Sequence, residues 1–255
     1  MQIFRHAEQP VPDIARGVAL GFFDGIHHGH LELLRTLLFH CDRLDLISSV
    51  LTFPQHPAEL VQGESGFSGY LSSLDERLKL MAGCGMEETH LQAFDQVFAA
   101  LEPDAFLNIW LGQRLNARLI VVGEDYHYGR NRRGDINSLK EWAAKRSIEV
   151  IVVPPVRMYG QKVSSSAIRE AVISGDLEAA ARLLGRTYQI SGPVISGRKI
   201  GRKMGFPTAN LRVPADRVCP AYGVYATRTI VSGRSYESVT NIGIRPTIEQ
   251  VDDLP

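Results

Sequence analysis

Two histidines three residues apart, His27 and His30, form the clearest candidate ligand-binding pair in the sequence. They close the segment GFFDGIHHGH at residues 21–30. The apolar run 18–23 is typical of a buried strand, and residues 31–38 carry apolar side chains at helical spacing. At such a strand-to-helix turn, backbone N–H groups lack partners and the helix dipole favours an anion. The pair is therefore interpreted as a phosphate site.

The same pair could instead bind a metal ion or be neighbours by chance. Histidine ligands on one helix usually stand four residues apart, or share the metal with nearby cysteine or carboxylate side chains. Here the separation is three residues, across Gly29, at the start of the helix. We therefore favour phosphate over a metal ion, and we expect His28 to face elsewhere on the turn.

A second candidate anion site is the cluster Ser164, Ser165 and Ser166, which is followed by Arg169. Serines at this position cap a helix, and capping alone would explain them. Serine hydroxyls at a helix start, with an arginine one turn further on, also suit a phosphate. Both sites would open at the carboxyl edge of one parallel sheet, and each makes the other more credible.

The stretch 124–135 is rich in cations and follows the apolar run 119–123. Most charged stretches are solvated surface, but parallel α/β sheets place ligand contacts in loops at this position. Asp125 could hold a sugar hydroxyl or a ring edge of a ligand.

Residues 197–210, GRKIGRKMGFPTAN, combine glycines with cations. Such a stretch could be a flexible hairpin or a phosphate cradle of backbone N–H groups. Thr208 and Asn210 carry neutral oxygens, which suit a Mg²⁺ ion that keeps most of its waters.

The sequence around these candidate residues follows two patterns of secondary structure. Up to about residue 153, apolar runs alternate with helical spacing, which predicts βα units on a parallel sheet. From about residue 186, short β-rich runs separated by glycine and proline predict a small all-β barrel. We place the boundary between 1–186 and 187–255. Strands are expected at 18–23, 46–53, 88–94, 119–123, 148–153, 188–194, 223–230 and 236–240, and helices at 31–38, 71–81, 103–111, 139–146, 163–171 and 177–184.

Composition is that of an ordinary soluble globular protein, with 44% hydrophobic and 22% charged residues. The 28 lysines and arginines balance the 28 acidic residues, which gives no sign of a nucleic-acid or anionic-membrane partner. Three scattered cysteines suit free thiols in a reducing cytosol. No apolar run has the length of a signal or membrane-spanning segment. We expect a cytoplasmic protein with small-molecule partners, which could form a weak homo-oligomer.

Five segments stand in a recognisable order: GFFDGIHHGH at 21–30, GEDYHYG at 123–129, SSSAIR at 164–169, GFPTAN at 205–210 and NIGIRPT at 241–247. With them the chain closely resembles the bacterial bifunctional riboflavin kinase/FAD synthetase family. The resemblance covers nearly the whole sequence. Each motif is weak alone, but five in order are specific.

The resemblance implies an α/β, Rossmann-like nucleotidyltransferase domain that transfers AMP from ATP to FMN, followed by a riboflavin kinase β-barrel. The substrates that the resemblance implies are ATP, FMN and riboflavin, and the cofactor that it implies is Mg²⁺. The resemblance implies four catalytic residues, His27, His30, Ser165 and Arg169. The residues that it implies bind ATP or flavin are Gly21, Phe23, Asp24, Gly29, Asp125, Ser164, Ser166, Gly201 and Gly205. The residues that it implies bind Mg²⁺ are Thr208 and Asn210.

The sequence departs from the family pattern at two places. The usual T-F-x-P-H-P is TFPQHP at 52–57, which keeps His56 but moves one proline, so the flavin-side loop is expected to differ slightly. The sequence ends at Pro255, whereas the family continues into a strand that carries the kinase's catalytic glutamate. Glu249 lies before that segment. We therefore expect an incomplete barrel and doubt kinase activity.

The expected reaction is in-line attack of the FMN phosphate on the α-phosphorus of ATP, with pyrophosphate leaving. No general base is expected, because the FMN phosphate is already ionised at neutral pH. A riboflavin kinase and a non-catalytic flavin- or nucleotide-binding module are the two alternatives.

Overall fold

In a computed structural model, residues 1–5, 10–62, 67–196 and 208–243 of the chain are described. The strands are β1 (Gln2–Arg5), β2 (Arg16–Leu20), β3 (Ile47–Thr52), β4 (Glu88–Leu91), β5 (Ala117–Gly123), β6 (Glu149–Val153), β7 (Arg157–Met158), β8 (Gln161–Lys162), β9 (Val194–Ile195), β10 (Asn210–Leu211), β11 (Gly223–Val231) and β12 (Arg234–Ile242). The helices are α1 (His28–Leu44), α2 (Pro57–Gln62), α3 (Leu74–Gly83), α4 (Gln96–Ala99), α5 (Pro103–Phe106), α6 (Ile136–Ala144), α7 (Ser165–Ser174) and α8 (Leu177–Leu184). A π-helical segment (Leu107–Arg114) continues α5, and Arg130–Arg132 form a 3₁₀ turn.

The first six strands form one sheet in the order β1-β4-β3-β2-β5-β6, and every pair in it is parallel. Apart from the added edge strand β1, this is the strand order of a doubly wound nucleotide-binding sheet. The winding direction reverses between β2 and β5, which lie side by side. Ligands of such sheets bind outside the carboxyl ends of the strands at this switch point. The predicted parallel α/β domain is confirmed.

Alternate residues of the central strands face two separate cores, as expected for strands covered by helices on both faces. On one face, Ala19 and Val121 pack with α1 and α3. On the other face, Val18 and Ile120 pack with the π-helical segment and α6. Gly17 lets α1 approach β2 closely, because a Cβ there would lie 2.3 Å from the Cys41 sulfur.

Several element boundaries differ from the prediction. The strand expected at 18–23 ends at Leu20, because Phe23 and Ile26 have positive φ angles that a strand does not allow. The helix expected at 31–38 begins at His28 and runs to Leu44. Strand β1 and the β7–β8 hairpin were not predicted.

The second module is described in part. The strand expected at 188–194 was wrong for most of its length, because only Val194–Ile195 pair, with Asn210–Leu211 of β10. Strands β11 and β12 form a nine-residue antiparallel hairpin, as predicted. These antiparallel strands after the parallel sheet agree with a barrel-like kinase module. The predicted ligand residues Gly201 and Gly205 lie outside the described residues, as does the chain end at Pro255.

Residues 188 and 218 connect this module to the first. The Tyr188 hydroxyl donates to the Val218 carbonyl at 2.7 Å, and Val218 packs into a core with α7 and α8.

All three cysteines are unpaired thiols. Within the described ranges, no helix has both the length and the apolar character needed to cross a membrane.

Candidate functional site

The connection from β2 to α1, residues 21–27, is here called the histidine loop. Its backbone has positive φ at Phe23 (60°), Gly25 (81°) and Ile26 (39°). Such angles are unusual for residues other than glycine, and for a β-branched residue such as isoleucine they are a real outlier. The loop is therefore held in a strained conformation at the switch point, a common feature of binding and catalytic sites.

His27 is the N-cap residue of α1, and its ring lies against that of His30. The His27 Nδ1 accepts the His30 backbone N–H at 3.3 Å. The two imidazole rings are stacked, with centroids 3.7 Å apart and planes 14° from parallel. Because Nδ1 of His27 is an acceptor, the neutral ring carries its proton on Nε2. Among the described residues, Nδ1 of His30 is buried and has no hydrogen-bond partner.

Both histidines are neutral at pH 7. Burial lowers the pKa of His27 to about 4, and the charge of Arg186 acts in the same direction. Burial also lowers the pKa of His30 well below its usual value, helped by His27. A neutral imidazole donates one N–H without carrying a charge of its own, and an arriving polyphosphate would favour its protonation.

Two residues expected at the ligand site allow this packing. A Cβ on Gly29 would lie 3.2 Å from Cε1 and Nδ1 of His27, so glycine lets the ring lie over the helix start. A Cβ on Gly21 would lie 3.1 Å from the Phe23 ring. Phe23 is itself buried, and its ring centroid is 5.2 Å from that of His30. His28, in contrast, packs against Gly185.

Asp24 is buried, with only 2% of its surface exposed, and its carboxylate accepts several hydrogen bonds. Its carboxylate accepts the backbone N–H groups of Leu71 and Ser72 at 3.0–3.1 Å, and also the Ser72 hydroxyl at 3.1 Å. Arg169 donates to its Oδ2 at 2.5 Å. Asp24, which the resemblance placed in ligand binding, is thus engaged within the protein.

Helix α7 is tied to the histidine loop by its first turn. Ser164 caps the helix by accepting the Ala167 N–H at 3.2 Å, as predicted from the sequence. The Ser165 hydroxyl donates to the Asp24 carbonyl at 3.0 Å. Arg169 donates both to Asp24 and, through Nε, to the Gly69 carbonyl at 2.8 Å. Ser166 is exposed. The two predicted anion sites therefore lie next to each other.

Asp125 follows the end of β5, which neighbours β2 at the switch point. It is exposed and forms an ion pair with Lys162 of β8 at 2.6 Å. The hydrogen bond from Lys162 lowers the pKa of Asp125 below its usual value. The basic loop 124–135 is thus anchored to the unpredicted β7–β8 hairpin.

An aromatic cluster that contains His56 lies beside the histidine loop. His56 stacks on Phe67 with centroids 4.7 Å apart, and Phe22 meets His56 edge-on at 4.5 Å. Tyr70 contacts Phe67 at 4.7 Å. The Arg169 guanidinium lies 5.5 Å from the Phe67 ring. Phe22 lies 34 residues before His56, and His56 lies 11 residues before Phe67, so no helical or strand periodicity groups these rings.

Three residues that sequence reasoning missed hold the histidine loop through its backbone. Arg77 donates to the Phe22 carbonyl at 2.9 Å, and Ser72 accepts the Gly25 N–H at 2.8 Å. Arg186 donates to the Gly25 and Ile26 carbonyls. Each lies at least 47 residues away along the chain, so only the fold reveals them.

Thr208 and Asn210 lie in the second module, where Asn210 is the first residue of β10 and Thr208 precedes it by two positions. Thr208 is exposed, and Asn210 is half-buried and pairs with Ile195 of β9. Their neutral oxygens are of the type that Mg²⁺ accepts. Within the described part of the chain, no group of three histidine, cysteine or acidic side chains could hold a metal ion.

A doubly wound parallel sheet, with two histidines and a serine-capped helix beside its switch point, has the architecture of a Rossmann-like nucleotide-binding domain. The FAD synthetase family model matches residues 12–167, and the riboflavin kinase family model matches residues 184–254. The chain belongs to the bifunctional riboflavin kinase/FMN adenylyltransferase family.

Relatives of that name agree with this assignment. The one from Listeria monocytogenes is 36% identical over 93% of this chain and 75% of its own length. The one from Escherichia coli K12 is 35% identical, over 91% of this chain and 74% of its own length. A crystal structure described as a macrolide-efflux protein from Streptococcus pneumoniae superposes with a TM-score of 0.84 at 30% identity, covering 95% of this chain and 79% of that one.

Proposed function

We propose that this chain transfers AMP from ATP to FMN, giving FAD and pyrophosphate. One observation carries the proposal: Ser165 and Arg169 of α7 bond to the loop that presents His27 and His30. These bonds support the proposal that the two predicted anion sites act as one site at the switch point, to which a triphosphate offers several anionic groups.

The proposed chemistry needs positioning rather than covalent catalysis. An oxygen of the FMN phosphate forms a bond to the α-phosphorus of ATP, while the bond from that phosphorus to the bridging oxygen breaks and its electron pair leaves with pyrophosphate. No proton has to be removed from the attacking phosphate. The enzyme supplies alignment and hydrogen bonds to the charge that develops on the phosphoryl oxygens.

His27 and His30 are proposed to donate these hydrogen bonds. Their low pKa values leave them as neutral donors in the free protein, and the stacked rings fix both donors at the start of α1. The helix dipole and backbone N–H groups of the same turn add to the attraction for phosphate.

Arg169 and the serines are proposed to hold the other end of the triphosphate. The bonds from Arg169 to Asp24 and Gly69 use two of its five N–H groups, so its guanidinium can still donate to phosphate. Asp24 keeps that guanidinium in place. Ser164, Ser165 and Ser166 surround the start of α7, where Ser166 is the exposed hydroxyl.

The remaining substrate contacts follow from position. Asp125 is proposed to meet the nucleoside part of ATP, because it follows β5 at the switch point. Gly21, Phe23 and Gly29 are proposed to let ATP approach the histidine loop closely. Mg²⁺ would accompany the triphosphate and neutralise part of its charge.

A second activity, phosphorylation of riboflavin to FMN, is favoured by the riboflavin kinase match at 184–254. Thr208 and Asn210 would then hold Mg²⁺ in a module spanning 187–255, separate from the adenylyltransferase module 1–186. We also propose a cytoplasmic protein with small-molecule partners, no nucleic-acid or membrane partner, and at most weak self-association.

Product analysis tests the proposal. The chain is incubated with ATP and Mg²⁺ together with either FMN or riboflavin, and the products are separated by chromatography. FAD and pyrophosphate from FMN are the expected products. FMN and ADP from riboflavin would establish the kinase activity. Binding of flavin or ATP without any product would contradict the proposal and favour a non-catalytic binding module.

A further inference from the structure

Arg186 follows α8 and its C-cap residue Gly185, at the start of the segment that leads into the second module. Its guanidinium reaches back to the histidine loop across 160 residues of sequence. Nη2 donates to the Gly25 carbonyl at 2.5 Å, and Nη1 donates to the Ile26 carbonyl at 3.0 Å. The two carbonyls belong to the residues directly before His27.

These carbonyls lie where the backbone is strained. Ile26 is 1% exposed and has a φ of 39°, and Gly25 has a φ of 81°. A buried carbonyl must find a donor, and an unfavourable conformation persists only where surrounding contacts enforce it. Arg186 supplies both carbonyls with donors from one rigid, planar group, which a shorter or more flexible side chain cannot do.

Other carbonyls of the histidine loop have their own donors. Phe22 receives hydrogen bonds from Arg77 and Thr52, and Asp24 receives one from Ser165. Arg186 therefore has a distinct task, because it holds the last two peptide units before the N-cap of α1. Its positive charge also disfavours protonation of His27.

Arg186 lies outside residues 12–167, which match the FAD synthetase model, and inside residues 184–254, which match the riboflavin kinase model. We propose that Arg186 is a positioning residue for adenylyl transfer: from the kinase-matched segment, it fixes the backbone that sets His27 and His30. The inference rests on the proposed function, and it makes the first site dependent on a residue that leads into the second module.

Replacing Arg186 tests this role. In Arg186→Met, we expect kcat for FAD formation to fall about 10- to 100-fold, while the KM for FMN changes less than threefold, because the FMN contacts are not altered. Arg186→Lys keeps the charge but lacks the planar guanidinium with its two paired donors. Its kcat should therefore lie between those of Arg186→Met and the wild type. In Arg186→Ala, added guanidinium at millimolar concentration should restore activity, because it can donate to both carbonyls.

Arg217→Met is the matched control. Arg217 attaches the same segment to the first module by donating to Glu76 and to the Gln189 carbonyl, each at 2.6 Å. Its loss weakens this attachment but leaves both donors to the histidine loop in place. We expect a lower melting temperature with kcat within about threefold of the wild type, and no rescue by guanidinium.

The outcomes separate this inference from the proposed function. No FAD from the wild type would overturn the proposed function itself. FAD from the wild type and at an equal rate from Arg186→Met would overturn only the positioning role. Equal losses of kcat in Arg186→Met and Arg217→Met, without guanidinium rescue, would also overturn it, since attachment alone would then explain the effect. If Arg186→Met does not fold, Arg186→Lys carries the same comparison.

Discussion

At the scale of single residues, burial decides the chemistry of the histidine pair. An exposed histidine at a helix start would be partly protonated near neutral pH. His27 and His30 are instead stacked and desolvated, which keeps both rings neutral and fixes the tautomer of His27. The sequence predicts where these histidines lie, but not their stacking, because stacking depends on Gly29 and Phe23 packing around them.

Buried histidines make the stability of the protein sensitive to acid. The pKa values of His27 and His56 are both lowered to about 4, chiefly by burial. Between pH 6.5 and 4 the unfolded chain binds more protons than the folded chain. The contribution of these histidines to the free energy of unfolding is therefore complete above pH 6.5 and is lost as the pH falls through 4. For each proton that the unfolded chain binds and the folded chain does not, the free energy of unfolding changes with pH by up to about 1.4 kcal/mol per pH unit.

Urea unfolding at pH 7 and pH 5 measures this dependence. His56→Asn should reduce the loss of unfolding free energy between the two pH values, since asparagine can still accept the Ala58 N–H that His56 accepts now. His127→Asn, at an exposed position, serves as the control. An unchanged pH dependence in His56→Asn would contradict the assignment.

The buried pair of Asp24 and Arg169 gives a second prediction. Asp24→Asn removes the charge that neutralises Arg169, and breaking a buried pair from one side costs about 3–5 kcal/mol. Adding Arg169→Met should recover part of that loss, because the remaining charge is removed. Denaturant unfolding of both variants measures it. A double variant no more stable than Asp24→Asn alone would contradict this explanation.

At the scale of elements, the site is the meeting of the histidine loop, α7 and α3. Local signals predict each helix start: serine caps α7 and α3, and a strand-to-helix turn precedes α1. No local signal predicts that α7 bonds to the histidine loop, or that α3 carries an anchor for the second module. Those contacts join residues more than 100 positions apart.

Glu76 has two tasks on α3, and they can be separated. It completes the capping box with Ser73, and it also accepts from Arg217 and Ser191. Ser73→Ala removes part of the cap and should cost about 1 kcal/mol. Glu76→Ala should cost about 1–3 kcal/mol more, because the largely buried Arg217 side chain then loses its partner. Equal unfolding free energies for the two variants would contradict the second task.

At the scale of the whole molecule, the sequence predicted the parallel α/β domain followed by antiparallel strands, and most strand positions in the sheet. It missed the edge strand β1 and the β7–β8 hairpin, which are short and gain their stability from their neighbours. It also missed that Arg186, the last residue assigned to the first module, donates to the backbone of the histidine loop. Loop conformation and long-range partners are set by packing, which no periodicity in the sequence records.

His27 and His30 are proposed to serve adenylyl transfer from ATP to FMN. The decisive measurement is the initial rate of FAD formation by His30→Ala, compared with the wild type and with His28→Ala. Loss of one preorganised donor to the developing phosphoryl charge should lower the rate about 10²- to 10³-fold. His28→Ala, which changes the neighbouring ring packed on Gly185, should stay close to the wild type. A near-wild-type rate in His30→Ala would contradict the claim.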